Sequence, residues 1–223
     1  EGSGAPYRVQ VGGGMDLTMR PEGLVIRRAT DADIEVFEEG AFRLLAGELK
    51  DASLSAKSFH AFGGVYYADR EVSARAHEAF AGAGGVMQLE GAEGSPVELK
   101  LRELGLAGKG EVSAQKVQLK EGEIRASGGV QAQLQKGEEE IELEAEAFKV
   151  NFPVLDGQPT AGLVTLTLSE VQRCRISREG ETISWSAAET SLSMTQHARG
   201  LEGERGELEL ISAEAVGGVL LER

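Results

Sequence analysis

A short glycine motif recurs along the chain and constrains its fold more than any other feature. Ala-Phe-Gly-Gly-Val at 61–65 returns as Ala-Ser-Gly-Gly-Val at 126–130 and as Ala-Val-Gly-Gly-Val at 215–219, and Gly-Ala-Gly-Gly-Val at 82–86 is a near copy. Successive copies are 21, 44 and 89 residues apart. These distances are close to one, two and four times ~22 residues, a period typical of stacked repeats. We therefore predict rungs of about 22 residues, each consisting of a strand, a turn and a second strand.

The glycine pairs are predicted to bend the chain at the same place in each rung. Positive φ is costly for residues with a Cβ and is tolerated by glycine. A kink or β-bulge is one interpretation, and a glycine-rich hairpin turn is the other. Both interpretations predict β-structure. The predicted structural glycines are Gly63, Gly64, Gly84, Gly85, Gly128, Gly129, Gly217 and Gly218.

Alternation of apolar and polar residues indicates strands with one buried face. Because aromatic residues make up only 5% of the chain, we expect this interior to be largely aliphatic. Helical periodicity is weak. The stretch from Asp31 to Leu45 is the only candidate helix, and Gly40 argues against it. The side chains predicted to face the interior are Val65, Val86, Val117, Leu119, Val130, Leu134, Ile141, Leu143, Val164, Leu166, Leu168, Ile183, Trp185, Leu208 and Leu210.

Length and composition predict a single all-β domain over 1–223. We expect a flexible N-terminus over 1–6, and a loop or crossover over 151–159, where prolines interrupt the alternation. The formal net charge of −14 repels phosphate groups, which argues against a nucleic acid as partner. The chain lacks an initiator methionine, so we expect a mature fragment from which a signal or membrane anchor has been removed.

Polar and reactive residues show no pattern typical of a catalytic, metal or cofactor site. Cys174 is the only cysteine, and we predict that it is a small buried side chain whose neighbouring arginines face away. The glycine-rich segment over 105–110 lacks the spacing of a phosphate loop. The histidines lack the spacing of metal ligands, and alternation places three glutamates on a solvated outer face. These residues are His60, His77 and His197, and Glu140, Glu142 and Glu144.

The segment from Val112 to Val150 resembles the OstA-like superfamily, the β-jellyroll domains of lipopolysaccharide-transport proteins. A strand with Ser-Ala at 113–114 is followed by Gly-Glu-Ile-Arg-Ala-Ser-Gly-Gly-Val at 122–130 and Gln-Ala-Gln-Leu at 131–134. The family repeat has small-x-Gly-Asn-Val, and Gly129 stands at its asparagine, a residue that also tolerates positive φ. The resemblance covers roughly 50–150 and the last twenty residues.

This resemblance implies a twisted, partly open antiparallel β-jellyroll in the periplasm. It implies an apolar groove that holds the acyl chains of a lipopolysaccharide-like amphiphile, and edge strands that pair end to end with other jellyroll domains, copies of this chain included. It implies neither catalytic residues nor a cofactor. A soluble bridge and a membrane-anchored component both remain open, and so does a non-enzymatic, oligomerising β-scaffold with a solid interior.

Overall fold

The computed structural model describes residues 7–20, 23–37, 41–53, 57–69, 72–82, 85–101, 109–136, 139–155, 158–160, 162–178, 181–196 and 208–222. Over these residues the chain forms strands and no helix, and hence no helix that could cross a membrane. The strands are β1 (Tyr7–Val11), β2 (Met15–Arg20), β3 (Gly23–Val36), β4 (Phe42–Ser53), β5 (Ser58–Asp69), β6 (Val72–Ala81), β7 (Met87–Glu90), β8 (Val97–Leu101), β9 (Lys109–Ala114), β10 (Lys116–Lys120), β11 (Glu123–Lys136), β12 (Glu139–Asn151), β13 (Val154–Leu155), β14 (Gln158–Pro159), β15 (Gly162–Arg178), β16 (Glu181–Gln196), β17 (Leu208–Val216) and β18 (Leu220–Glu222).

Sixteen of these strands form one antiparallel sheet, which confirms the all-β prediction. Its order is β1-β3-β4-β5-β6-β7-β10-β11-β12-β15-β16-β17. Strand β2 lies beside β3, β8 lies between β6 and β9, β9 also pairs with β11, and β18 pairs with β16. Most neighbours in the sheet are also neighbours in sequence, so the sheet grows as a series of hairpins.

A line of backbone irregularities, here called the crease, crosses the sheet from edge to edge. It passes through residues 12–14, 31, 47, 63–64, 128–129, 172–173 and 217–218, where strand pairing shifts register or one strand gives way to the next. Positive φ recurs along it, at Asp31 and at the glycines of positions 63, 64, 128, 129, 217 and 218. These are the features of β-bulges, which bend a strand and increase its twist.

The sheet folds back on itself at the crease. Phe59 lies beside the residue that follows Lys50 in β4, so along an extended β4 it would be roughly 30 Å from Phe42. The ring centroids of Phe42 and Phe59 are only 6.4 Å apart. Across the crease in β16, Trp185 Nε1 donates a hydrogen bond to Thr190 Oγ1 at 3.0 Å. The two halves of each long strand therefore face each other.

The crease separates two layers whose inner faces form one apolar core. Along the inner face of the second layer, neighbouring strands contribute both small and large side chains, as in the row Leu49, Ala61, Ala79, Leu89 and Val117. The first layer comprises β1, β8, β9, β18 and residues 32–36, 42–46, 65–69, 72–76, 130–136, 139–145, 171–178 and 181–187. The second layer comprises β2, β7, β10, β17 and residues 23–29, 48–53, 58–62, 78–81, 123–127, 147–151, 162–169 and 189–196.

The rung length predicted from the glycine motif is wrong. Three glycine pairs lie on the crease, but Gly85 lies in the turn between β6 and β7 at the opposite margin, and Gly84 lies outside the described residues. The repeated unit is one creased strand of 10 to 17 residues. Asp31 and Gly47 occupy the crease without a Gly-Gly-Val motif, so the motif marks only some of the bends.

The segment over 151–159 is a loop rather than a crossover. Strands β12 and β15 are direct neighbours, and β13 pairs with β14 in a small hairpin outside the main sheet. Residues 1–6, where a flexible terminus was predicted, lie outside the described residues.

Candidate functional site

Most side chains predicted to face the interior are buried in the core or packed against it. Alternation is sufficient to place them because each strand turns one face towards the opposite layer. The buried residues are Val65, Val117, Val130, Leu143, Val164, Leu166, Leu168 and Trp185, and the half-buried ones that pack on the core are Leu119, Leu134 and Ile141.

Two predicted interior residues have different surroundings. Ile183 pairs with Ile176 on the inner side of β15, but it is 44% exposed because it lies near the end of the sheet. Val86 is half-buried in the turn before β7 rather than in the core. Leu208 and Leu210 belong to β17, and their side chains lie outside the described set.

The margin opposite the crease, here called the mouth, is closed by aromatic side chains at β4 and β5. Phe42 packs at 5.8 Å on the Tyr67 ring of its own layer and at 6.4 Å on the Phe59 ring of the other layer. All three side chains are buried. The layers are therefore held together here by the packing of apolar rings and not by backbone pairing.

Beside this aromatic cluster the mouth opens into a cleft of about 210 Å³. Tyr67 and Val72 line it from the first layer. Its other wall comes from the second layer and from the loop after β12. Its apolar residues are Met87, Leu119, Ile124, Phe152 and Val154, and charged residues of the turn between β10 and β11 complete it. A volume of this size is below the range of about 300–1,000 Å³ found for pockets that enclose a whole small-molecule ligand. The cleft is therefore too small to enclose a whole small-molecule ligand.

Hydrogen bonds brace the rim of the cleft on the first layer. Asp69 accepts one from Tyr67 Oη at 2.9 Å and another from the backbone N–H of Val72 at 2.8 Å. These bonds connect Asp69, at the end of β5, to the first residue of β6 and to the ring that also packs on Phe42. The rim on the first layer is therefore stabilised both by the hydrogen bonds to Asp69 and by the packing of Tyr67 on Phe42.

An ion-pair cluster lies on the second layer next to the cleft. Glu123 Oε1 is 2.7 Å from Arg125 Nε, and Glu123 Oε2 is 2.8 Å from Lys149 Nζ. Hydrogen bonds from these two cations lower the pKa of the Glu123 carboxyl to about 2. Glu123 is therefore ionised at neutral pH, and the rim carries fixed charge beside an apolar wall.

The single cysteine and the described histidines have the environments of structural residues. Cys174 is fully buried, and desolvation raises its thiol pKa to about 12, so the prediction of a small buried side chain is confirmed. His60 Nε2 lies 2.5 Å from Glu78 Oε1 on the outer face, beside the Phe62 ring. His77 is exposed, and His197 lies outside the described residues.

Acidic residues do not converge on a metal site in the described part of the chain. Over those residues, no group of three or more His, Cys, Asp or Glu side chains is placed to hold a metal ion. Glu142 forms an ion pair with Arg175 at 3.4 Å across β12 and β15, and Gln133 Nε2 donates to Glu140 at 2.5 Å. Such pairs indicate a solvated outer face. The segment over 105–110 is described only from Lys109 onward.

Sequence reasoning identified only part of the cleft. Leu119 was predicted to face the interior, whereas Tyr67 in β5, Met87 at the start of β7, and Phe152 and Val154 after β12 were not singled out. An aromatic residue two positions before an acidic turn, as in Tyr67 and Asp69, was the only local indication. Their meeting depends on the crease, which brings distant strand ends together.

No family model matches the chain, and comparisons with curated proteins and with solved structures also found no match. Assignment of function therefore depends on the residues and on the geometry of the fold.

Proposed function

We propose that the protein is an OstA-like lipid-transport bridge of the periplasm, a partly open jellyroll that holds acyl chains of a lipopolysaccharide-like amphiphile between its layers. The observation that carries this proposal is the folded sheet, in which two apolar faces meet and a cleft opens between them at the mouth. Ring packing at Phe42 and Phe59, rather than continuous backbone pairing, closes that margin. The mouth is therefore where the layers part with the smallest loss of hydrogen bonds.

The energetics favour acyl chains as the ligand. Each methylene taken from water into an apolar interior contributes about 0.8 kcal/mol, so a long chain gains on the order of 10 kcal/mol before ordering costs. Parting the layers exposes core surface, but the inserted chain covers that surface again. The charged rim beside the cleft, with Glu123 and Lys120, leaves a polar head group in contact with water.

Displacement of a fluorescent fatty-acyl probe, together with native mass spectrometry of detergent-free protein, tests this proposal. We expect the wild-type protein to take up the probe and to release it to a lipid A-like amphiphile. Leu119→Asp places a charge in the cleft and should weaken uptake at least tenfold. Leu163→Asp is the matched control, because Leu163 is 56% exposed and lies outside the cleft. Absence of any acyl ligand on the wild-type protein would overturn the proposal.

The two edges of the sheet support end-to-end pairing. One edge consists of β1 and β2 joined through Gly12–Gly14, and the other consists of β17 and β18 joined through Gly217–Gly218. If a second copy is stacked head to tail, β1 meets β18 and β2 meets β17. Both pairs are antiparallel and the two glycine segments coincide, so the creased sheet continues across the junction. Edge strands with free pairing groups are templates for such addition.

Exposed apolar side chains at these edges add to the argument. Met15 and Leu17 are 44% and 43% exposed at the first edge, and Leu221 is 60% exposed at the last. Register places Leu221 opposite Trp185, on the inner face. Stacked repeats normally require a polar cap at each end, and these two ends are apolar.

Analytical ultracentrifugation tests the pairing directly. We expect concentration-dependent assembly of the wild-type protein. Leu221→Lys should abolish assembly by placing a charge on the inner face of the junction, whereas Ser212→Lys changes an exposed outer position of the same edge and should have little effect. Equal assembly of both variants would contradict head-to-tail pairing.

The filled interior favours a second candidate, a structural β-scaffold that does not carry lipid. Leu89, Val117, Leu166 and Leu168 are at most 2% exposed, so the core is closed around them. A scaffold would assemble through its edges and take up no acyl probe. The two candidates are therefore distinguished by combining the probe assay with ultracentrifugation.

A further inference from the structure

The two edges of the sheet have the same creased form. The first edge consists of β1 in the first layer and β2 in the second, and the last edge consists of β18 in the first layer and β17 in the second. The bends lie at residues 12–14 and 217–218. Each edge therefore presents one strand in each layer, and a partner edge of the same form can pair along both.

Register identifies the inner-face residues of the first edge. Val9 lies opposite Ile34, and Met15 lies opposite Ala29. Both partners are buried in the core. Directly opposite residues of an antiparallel pair point to the same face of the sheet, so Val9 and Met15 face inwards. Met15 is nevertheless 44% exposed in the single chain.

The inner face of the last edge follows in the same way. Leu221 lies opposite Trp185, and Ala215 lies opposite Thr190. Trp185 and Thr190 are buried, so Leu221 and Ala215 also face inwards. Leu221 is 60% exposed, which leaves apolar inner-face surface in contact with solvent at this edge as well.

The spacing of inner-face residues across the bend is identical on the two edges. Six positions lead from Val9 to Met15, and six lead from Ala215 to Leu221. An antiparallel partner that places Leu221 opposite Val9 therefore also places Ala215 opposite Met15. A difference of one residue between the spacings would turn the side chains of one layer to the outer face. One register consequently continues both layers of the sheet.

The backbone of the first edge is oriented for this pairing. Gly12 N donates a hydrogen bond to Asp31 O at 3.0 Å, which continues the register of β1 with β3. Successive residues of an antiparallel strand direct their N–H and C=O groups to alternate sides. Even-numbered residues of β1 therefore bond to β3, whereas Val9 and Val11 direct their backbone groups away from it. A strand with Leu221 opposite Val9 meets these groups.

We propose that the first edge of one copy of this chain joins the last edge of another in this single register, and that an Asp16–Glu214 contact weakens the junction. The inference rests on the proposed end-to-end pairing and names the partner and the alignment. Because the two edges differ, the contact is heterologous, and each added copy again presents an edge to the next.

The weakening contact lies on the outer face of the second layer. Asp16 stands between two inner-face positions of β2, and Glu214 stands between two of β17. The register places the two carboxylates directly opposite each other across the junction, where like charges are destabilising. Arg28, which lies opposite Asp16 within its own sheet, is already paired with Glu48 at 3.0 Å. The junction is therefore apolar on its inner face and repulsive at this outer position.

A charge-exchange cycle measured by analytical ultracentrifugation tests this contact. Asp16→Lys and Glu214→Lys should each tighten assembly about threefold, because each replaces a like-charge pair with an opposite-charge pair. The double variant restores a like-charge pair and should lose the gain. Glu98→Lys is the control, since it changes the net charge equally at an exposed position of β8, away from both edges. Equal tightening by the control, or additive gains in the double variant, would overturn the contact.

Disulfide cross-linking in a Cys174→Ala background tests the register itself. The register places Gln10 opposite Leu220 in the first layer and Thr18 opposite Ser212 in the second, within disulfide reach. Mixtures of Gln10→Cys with Leu220→Cys, and of Thr18→Cys with Ser212→Cys, should form linked pairs on mild oxidation. A mixture of Arg8→Cys with Leu220→Cys is displaced by two positions and should cross-link at least tenfold more slowly. Each single variant alone controls for random oxidation.

The outcomes separate this inference from the proposed function. If the wild type assembles and the displaced mixture cross-links as fast as the others, the register is wrong and end-to-end pairing stands. If the wild type does not assemble and neither aligned mixture cross-links, end-to-end pairing fails and this inference fails with it. Uptake of the acyl probe by the single chain is measured independently of both results.

Discussion

The crease and the mouth are the two long margins of the folded sheet, and they are stabilised in different ways. Along the crease, backbone groups remain paired, as from Gly12 N to Asp31 O at 3.0 Å and from Ala188 N to Gly217 O at 2.8 Å. At the mouth, the contacts between layers include the ring packing of Phe42 on Phe59. The crease is therefore fixed by backbone pairing, whereas side-chain packing contributes to the contact between the layers at the mouth.

The largest effect is expected from weakening the mouth. Phe42→Ala removes a buried ring that joins the two layers and should lower the free energy of unfolding by about 3–5 kcal/mol. Urea denaturation measures this loss. Phe37→Ala is the control, since Phe37 is 59% exposed, and should change stability little. A loss no larger than that of the control would show that ring packing does not stabilise the mouth.

A matched pair of glycines sharpens the comparison at the crease. Gly128 and Gly129 both have positive φ, of 82° and 75°, so alanine at either position costs about 1–2 kcal/mol in backbone strain. At Gly128 the added Cβ would also lie 2.7 Å from Gln115 Cβ, whereas at Gly129 it meets nothing within 4 Å. We expect Gly128→Ala to destabilise the protein by a further ~1–3 kcal/mol in urea denaturation. Equal losses for the two variants would contradict this close approach at the crease.

A smaller effect is expected from the one described side-chain hydrogen bond that spans the crease in β16. Thr190→Val leaves the Trp185 N–H buried without its Thr190 partner and should cost about 1–3 kcal/mol. Tryptophan fluorescence during unfolding reports both stability and the surroundings of the indole. Thr167→Val on an exposed position of β15 is the control. Unchanged stability of Thr190→Val would mean that backbone pairing alone maintains this part of the crease.

The smallest effect concerns the ion pairs beside the mouth. The folded pKa of Glu123, at about 2, lies below its ordinary value of 4.5, so its contribution to stability is present above about pH 4.5 and is lost as pH falls towards 2. Glu123→Gln should flatten the dependence of stability on pH in this window. Thermal denaturation between pH 2 and pH 6 measures the difference. The same slope in both proteins would show that the cluster with Arg125 and Lys149 does not contribute.

Alternation alone predicted which faces of most strands are buried, because the side-chain period of two is a local property. It placed Val130, Leu143 and Leu166 correctly, since these strands lie in the middle of the sheet. It misplaced Ile183, which has an inner-face position but lies close to the short last strand, where few neighbours cover it. Position within the sheet is set by topology, which alternation does not encode.

The glycine motif predicted bending but not the unit that bends. Gly63, Gly128 and Gly217 lie on the crease, whereas Gly85 lies in a turn at the mouth, so similar motifs occur at different margins. Asp31, which lies opposite Gly12 on the crease, has a positive φ although it is not itself a glycine. Most residues that line the cleft were not predicted, because its walls meet only after the sheet folds back at the crease.

Electron–electron double resonance between spin labels on the two layers tests most directly the central claim, which is that the layers part at the mouth to receive an acyl chain. Labels at Lys100→Cys and Gln88→Cys, in a Cys174→Ala background, lie on exposed outer positions of the first and second layer near the mouth. If the layers part to receive an acyl chain, the distance between the labels should lengthen when a saturating acyl amphiphile is added, and shorten again when it is removed. An unchanged distance with the amphiphile bound would contradict the account.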